Sequence, residues 1–263
     1  DANGIAREVV RAGGLFAYNA QRLFGQHPDV RQRHVPSRKA GFVPRPMTLV
    51  EKIIASRVMN HDGSVGVPAV APGESHFIRA DLRFSHDYVT AMADALFRAG
   101  LGEDAKVSDP DSLVLFRDHL TLLGQALTPR HRELRLYDHA LELGRAQERF
   151  AKRHGVKLFD EVQSETGPRS YGICHNVVVD ELGVPSSVIV GTDSHTCTAG
   201  ALGAFAFGVG STDMANAFFT RDVRVSVPES VKIELLGELP AGTSAVASTK
   251  TLNCAFVTGV WSR

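Results

Sequence analysis

Three short stretches gather side chains able to move a proton. Arg117-Asp118-His119 follows the apolar run LVLF, Asp193-Ser194-His195 follows VIVG, and His175 lies in GICH. An aspartate beside an imidazole fixes its tautomer and raises its basicity. A general acid or base needs this, and so does a histidine beside a metal. A single such histidine is most simply a satisfied core side chain. Two Asp–His pairs at the ends of apolar runs call for more, because ligand sites in α/β sheets form at the carboxyl ends of strands. Ser194 between Asp193 and His195 also raises a Ser-His hydrolase. Against it, no G-x-S-x-G elbow is present, and neighbours on an extended chain point to opposite faces.

The tract after His195 is built almost wholly of small residues: Ala199, Gly200, Ala201, Gly203, Ala204, Ala206, Gly208 and Gly210. It predicts a helix of small residues lying close beneath the floor of a site, with its first amides turned toward an anion. A buried helix packed tightly on a sheet is the plainer account, and the two are compatible. The tract is no nucleotide loop. The chain has no G-x-x-x-x-G-K-[ST], and Gly208-Val209-Gly210 lacks the third glycine of the dinucleotide fingerprint.

Elements that could position these residues are legible around them. Thr48 with Glu51 forms a capping box that opens a helix with Leu49, Ile53 and Ile54 on one face. Residues 61–75 read as a long loop. Residues 87–99 read as a helix with Met92, Leu96 and Phe97 inward and Gly100 as its stop. SLVLF at 112–116 is a continuous apolar run, the pattern of a strand buried on both faces. Residues 136–154 predict a long helix closed by Gly155, and 156–159 and 187–191 predict strands. From Val223 the period falls to two, the mark of extended chain leaving the first sheet or joining another. Strands alternating with helices predict an α/β domain with a mainly parallel sheet and helices on both faces, a three-layer α/β/α arrangement over 47–228. Residues 229–263 are expected to begin a second domain that is truncated or divergent.

Bulk properties narrow the function classes. The 263 residues carry 29 basic and 29 acidic side chains, so no overall charge favours nucleic acid. No apolar run reaches membrane-spanning length. Cys174, Cys197 and Cys254 are odd in number, irregularly spaced and without a C-x-x-C, which argues against a disulfide framework and for a reducing, cytoplasmic setting. The chain opens on Asp1, as a processed, tagged or partial chain would. Residues 1–46 hold eight Lys/Arg against three Asp/Glu. They are expected to be a disordered extension, with an organelle-targeting segment as the alternative.

The segment GTDSHTCTAGALGAFAFGVGSTDMANAF resembles the signature of the aconitase superfamily, as found in the large subunits of 3-isopropylmalate dehydratase and homoaconitase. MTLVEKIIASR resembles the start of that family, RDH at 117–119 its Asp-His element, and GICHNVVVDELGVPSSVIVGTDSHT the run into the signature. The similarity extends from Met47 to about Leu239, and the tail after Gly242 is expected to depart from it. The resemblance implies a hydro-lyase that dehydrates and rehydrates a hydroxylated di- or tricarboxylate, of the kind used in leucine biosynthesis. It implies a [4Fe-4S] cluster acting as Lewis acid, and a small subunit carrying the swivelling domain. It implies that His119 with Asp118 protonates the departing hydroxyl. It further implies that Asp193 and His175 form a second pair, that His195 bonds near the bound hydroxyl, that Ser194 binds a substrate carboxylate, and that His86 and Thr90 lie on the substrate side. The cysteines that hold the family's cluster lie in contexts absent from this chain, so no metal ligand is assigned. An amino-terminal portion of a hydro-lyase is one account of the sequence; a non-catalytic remnant or interaction protein retaining the fold is the other.

Overall fold

The computed structural model describes residues 4–24, 45–60 and 62–232. Two amino-terminal helices, α1 (Gly4–Arg11) and α2 (Leu15–Phe24), precede α3 (Leu49–Arg57). The chain continues through β1 (Ser75–Arg79), β2 (Leu82–His86), α4 (Asp87–Leu101) and β3 (Leu113–Phe116). Short helices α5 (Leu123–Ala126) and α6 (Pro129–Glu133) lead to the long α7 (Leu136–His154). Next come β4 (Lys157–Phe159), the hairpin β5 (Val162–Ser164) and β6 (Gly167–Arg169), and α8 (Cys174–Val177). A π-helical turn (Val178–Leu182), β7 (Val188–Gly191), a 3-10 helix (Ser194–Leu202), β8 (Phe205–Gly208), α9 (Ser211–Thr220) and β9 (Asp222–Ser226) follow.

Five strands form a wholly parallel sheet in the order β4-β3-β2-β7-β8. From β2 the chain winds outward to β4, then returns to the other side of β2 for β7 and β8. The strand order therefore reverses between β2 and β7, the crevice where α/β sheets bind ligands. Alternate residues supply the two faces. Leu113, Leu115, Val188 and Val190 pack under α3, α4, α7 and α9 through Ile54, Phe97, Phe150 and Phe218. Phe84, Val114, Phe116 and Ile189 pack on the other side against Cys174, Val177, Val178 and Ala199. The result is the expected three-layer α/β/α domain. Among the described residues no helix is long and apolar enough to cross a membrane.

The capping box is present: the Thr48 hydroxyl accepts from the Glu51 amide at 3.3 Å, and Glu51 accepts from the Thr48 amide at 2.7 Å. Gly155 closes α7 in the left-handed conformation, at φ 69°. Four expectations need correction. Leu49 and Met92 lie outward; the buried stripe of α4 is Thr90, Ala93, Asp94 and Phe97, whose two polar members hide it from a purely apolar pattern. Gly100 does not stop α4, which runs to Leu101 and caps at Gly102; a Cβ at Gly100 would sit 2.6 Å from the Phe16 ring of α2. The small-residue tract is not one helix but a 3-10 helix, a strand and the start of α9. The segment expected to be disordered carries α1 and α2, which are packed on the body. Tyr18 stacks on Phe77 at 5.9 Å, Asn19 donates to Asn216 at 3.0 Å, and Arg22 binds Asp222 through both carboxylate oxygens at 2.8 and 2.9 Å. The period-two run at 223–227 joins a separate sheet, where β9 pairs antiparallel with β1. Its continuation at Ile233 and Leu235 lies outside the described residues.

Candidate active site

β2, β3 and β7 end side by side, and each delivers a polar loop to the same crevice. The central group is Asp193, the N-cap of the 3-10 helix. Its Oδ1 accepts from the His195 amide at 2.6 Å, from His195 Nδ1 at 3.0 Å and from His175 Nε2 at 3.0 Å. Its Oδ2 lies 3.4 Å from His119 Nε2. One carboxylate thus gathers imidazoles from three separate loops. Its partial burial works against ionisation, but these donors overcome it and hold the carboxyl at about 2.

His119 is bracketed by carboxylates. Its Nδ1 donates to Asp118 Oδ1 at 2.7 Å, while Asp118 Oδ2 accepts from the Cys174 amide at 2.8 Å. Asp118 therefore orients the ring and ties the β3 loop to α8. Partial burial opposes the charged ring, yet the Asp118 hydrogen bond and the Asp118, Asp87 and Asp193 carboxylates outweigh it, and the pKa rises. His86, at the end of β2, stacks on His119 with centroids 4.0 Å apart. Burial, aided by repulsion from His119, pushes His86 down. Burial also lowers His175, with Asp193 opposing it. The crevice thus holds one imidazole biased toward its charged form beside two biased toward neutrality, the separation that distinguishes an acid from its neighbours.

The small residues hold this loop in place. A Cβ on Gly208 would sit 2.4 Å from the Asp193 carbonyl oxygen. One on Gly191 would sit 2.3 Å from the Phe84 ring and 2.4 Å from the Thr196 hydroxyl. Either side chain would displace the chain that presents Asp193.

Asp118, His119, His175, Asp193 and His195 therefore converge, with Ser194 exposed beside them and His86 behind His119. Thr90 does not join them. It is fully buried, donates to the His86 carbonyl at 2.8 Å and accepts from Gln147 at 3.2 Å, and so ties α4 to the end of β2 and to α7. Ser194 and His195 do approach, at 3.3 Å, because the chain is a 3-10 helix there and not extended. They still form no triad: Ser194 and Asp193 share one ring nitrogen, Nδ1, whereas a triad uses opposite nitrogens.

Two functional positions were not anticipated. Asp87, fully buried at the start of α4, accepts from the amides of His119 at 3.3 Å and Leu120 at 2.7 Å, and so fixes the loop that carries His119. Thr192 accepts the His86 amide at 3.3 Å, and its carbonyl lies 3.3 Å from His86 Nε2, which links β2 to β7 across the crevice. The signal for Asp87 was its place directly after a strand-end histidine, at the first turn of a helix.

The described cysteines do not fit an iron–sulfur cluster. Burial raises the thiol pKa of both Cys174 and Cys197, the reverse of what a thiolate ligand needs. The groups of side chains close enough to share an ion are made of His and Asp, without Cys, among the described residues. Cys254 lies outside them.

The profile of the aconitase family (aconitate hydratase) matches residues 51–259, so the match continues through the tail after Gly242 that was expected to depart from it. The chain is 31% identical over 206 residues to the chloroplastic 3-isopropylmalate dehydratase large subunit of Arabidopsis thaliana, covering 76% of this chain and 37% of that one. It is 37% identical over 199 residues to a probable methanogen homoaconitase large subunit of Methanothermobacter thermautotrophicus, covering 73% and 40%. With the 3-isopropylmalate dehydratase large subunit of Aquifex aeolicus the identity is 36% over 194 residues, covering 73% and 38%. In each case the chain spans about two-fifths of the relative's length. With a family profile matched over most of its length, and the Asp–His residues of the signature gathered at the switch point of its sheet, the chain belongs to the aconitase family.

Proposed function

We propose that the chain supplies the proton-transfer and carboxylate-recognition face of a hydro-lyase acting on a hydroxylated di- or tricarboxylate of the 3-isopropylmalate or homocitrate type. The single observation that carries this reading is the Asp118–His119–Asp193 array. An imidazole with a carboxylate near each ring nitrogen is biased toward its protonated form at the mouth of the crevice and can hand Nε2–H to a departing hydroxyl. His175, whose pKa burial lowers, is biased toward its neutral form. Ser194 and the exposed His195 supply donors for a substrate carboxylate. Such assistance contributes roughly 10²–10⁴-fold to a rate, too little by itself to expel hydroxide.

The [4Fe-4S] cluster of the family would supply a Lewis acid. Because the described cysteines do not fit it, the reading rests on the acid/base side chains, and the described residues by themselves do not turn over a hydroxy acid. The remaining parts of the assembly would be a cluster-binding region and a small-subunit partner, consistent with relatives named as large subunits. A second reading, a non-catalytic protein that retains the fold, is favoured by one observation: among the described residues, the side chains close enough to share an ion are His and Asp, without Cys.

The test is binding to the full chain with histidine rings labelled by nitrogen-15. Isopropylmalate or homocitrate should shift the ring signals of His119 and His195, and succinate, which lacks the hydroxyl, should shift them less. Ring signals unmoved by either hydroxy acid at millimolar concentration would favour the second reading.

A further inference from the structure

Two non-glycine residues in the left-handed conformation bracket one surface segment. Leu122, at φ 55°, stands directly before α5, and Arg135, at φ 56°, directly before α7. Side chains of this size are strained in that region, and such strain collects where a chain bends about fixed points. Between them, no residue of α5 or α6 is buried. The segment bonds within itself: Arg132 Nη2 donates to the Gly124 carbonyl at 3.1 Å, and the Thr128 amide donates to His131 Nδ1 at 3.3 Å. At its first end it is held to the body by Glu161, in the turn between β4 and β5. Glu161 Oε1 accepts from the Leu122 amide at 2.6 Å and from the Thr121 hydroxyl at 3.1 Å. A cavity of about 340 Å³ is walled by Leu122 and Leu123 of the segment, by Tyr137 and Leu141 of α7, and by Asp87 and Leu120. That is the size of a small-molecule site. Asp87 binds the His119 amide, so the cavity adjoins the loop that carries His119.

We infer that residues 122–135 are a hinged flap, latched by Glu161, that opens and closes the cavity beside His119. Leu122 and Arg135 are its hinges, since residues at element ends absorb the backbone change when a flap moves. Burial sets the cost of opening. With no buried side chain, α5 and α6 lose little apolar contact when they lift, and such segments open locally without unfolding the body. The latch opposes this. A carboxylate that accepts from an amide and a hydroxyl makes charge-assisted bonds, stronger than neutral ones. The chain before the hinge is anchored separately. Arg117 donates to the Gly144 carbonyl at 3.0 Å and to Glu148 at 2.7 Å, and Asp87 accepts from the Leu120 amide at 2.7 Å. His119 therefore stays in place while the chain beyond Leu122 moves. The inference concerns motion of the chain and holds independently of the hydro-lyase reading.

The experiment is amide hydrogen exchange on the full chain, read by nuclear magnetic resonance. It is paired with labelling of Ala140→Cys, a substitution on the cavity wall, by a neutral maleimide. The amides of Gln125, Leu127 and Leu134 bond to carbonyls inside the segment. They should share one protection factor, lower than that of α7 from Gln147 to Ala151 and higher than that of an unstructured peptide. Glu161→Ala should speed both their exchange and the cysteine labelling roughly tenfold, with α7 unchanged. Glu161→Gln, which keeps a neutral acceptor, should speed both by less. Thr121→Val removes one latch bond while keeping the shape, should speed both about threefold, and serves if Glu161→Ala does not fold. Segment amides that exchange only when the whole protein unfolds, exchange unaffected by the latch variants, or cysteine labelling unaffected by them would each overturn the inference.

Discussion

At the scale of single residues, the account turns on charges whose environment sets their protonation. Folding depresses the Asp193 carboxyl from 3.8 to about 2. Its contribution to stability is therefore full above pH ~4 and is lost as pH falls toward ~2, and the shift corresponds to roughly 2 kcal/mol. Acid unfolding of the Asp193→Asn variant, followed by circular dichroism, should lack that part of the pH dependence; an identical acid profile would count against it. His119 shifts the other way. Its stabilising contribution is complete below the pKa of an unfolded histidine and fades as pH rises through its own raised value. Asp118→Asn should lower the His119 pKa, read directly from ring proton shifts across a pH titration. The candidate residues themselves were legible, because Asp–His pairs after apolar runs have few structural uses. Asp87 was passed over: its place after a strand-end histidine is a local signal, but its bonds to backbone amides of a loop 32 and 33 residues away are not recorded by any local spacing. The place of Thr90 was not legible for a related reason: a threonine near a strand-end histidine looks the same in sequence whether it faces the crevice or packs against the helix behind it.

At the scale of elements, close backbone approach explains the small-residue tract. Gly208 lets the Asp193 carbonyl lie against β8, and Gly191 lets Phe84 pack beneath β7. Gly208→Ala should cost about 1–3 kcal/mol by overpacking and should move the His175 and His195 ring signals together. Gly200→Ala in the same tract meets no atom within 4 Å and should stay within about 0.5 kcal/mol of the parent in urea unfolding. Strands and long helices were readable wherever a local rule sufficed: the capping box at Thr48, the continuous apolar run at 113–116, and Gly155 after α7. The 3-10 helix escaped because its residues are small on every face, so no period distinguishes it from an α-helix. β1 was not foreseen: its partner, β9, is about 150 residues distant, and pairing across that separation leaves no local trace.

At the scale of the whole molecule, the amino-terminal helices act as a clasp outside the region that matches the family. Arg22 of α2 neutralises Asp222, whose side chain is 2% exposed, and also lies over the Phe77 ring at 4.2 Å. Arg22→Ala would leave a buried carboxylate without its partner, a loss of about 3 kcal/mol in chemical unfolding. Adding Asp222→Asn should recover much of it, whereas a double variant as unstable as the single one would assign the loss to packing on Phe77. Composition alone placed this segment among disordered extensions, because its basic excess conceals the few side chains, Tyr18, Asn19 and Arg22, that dock it.

The central claim is that one carboxylate organises three loops at the switch point of the sheet. It is tested most directly by comparing the imidazole nitrogen-15 spectra of the parent chain and Asp193→Asn at neutral pH. The account predicts that His119, His175 and His195 all change protonation or tautomer together, with His119 losing affinity for its proton. A change confined to His195, the sequence neighbour, with His119 and His175 unmoved, would contradict it.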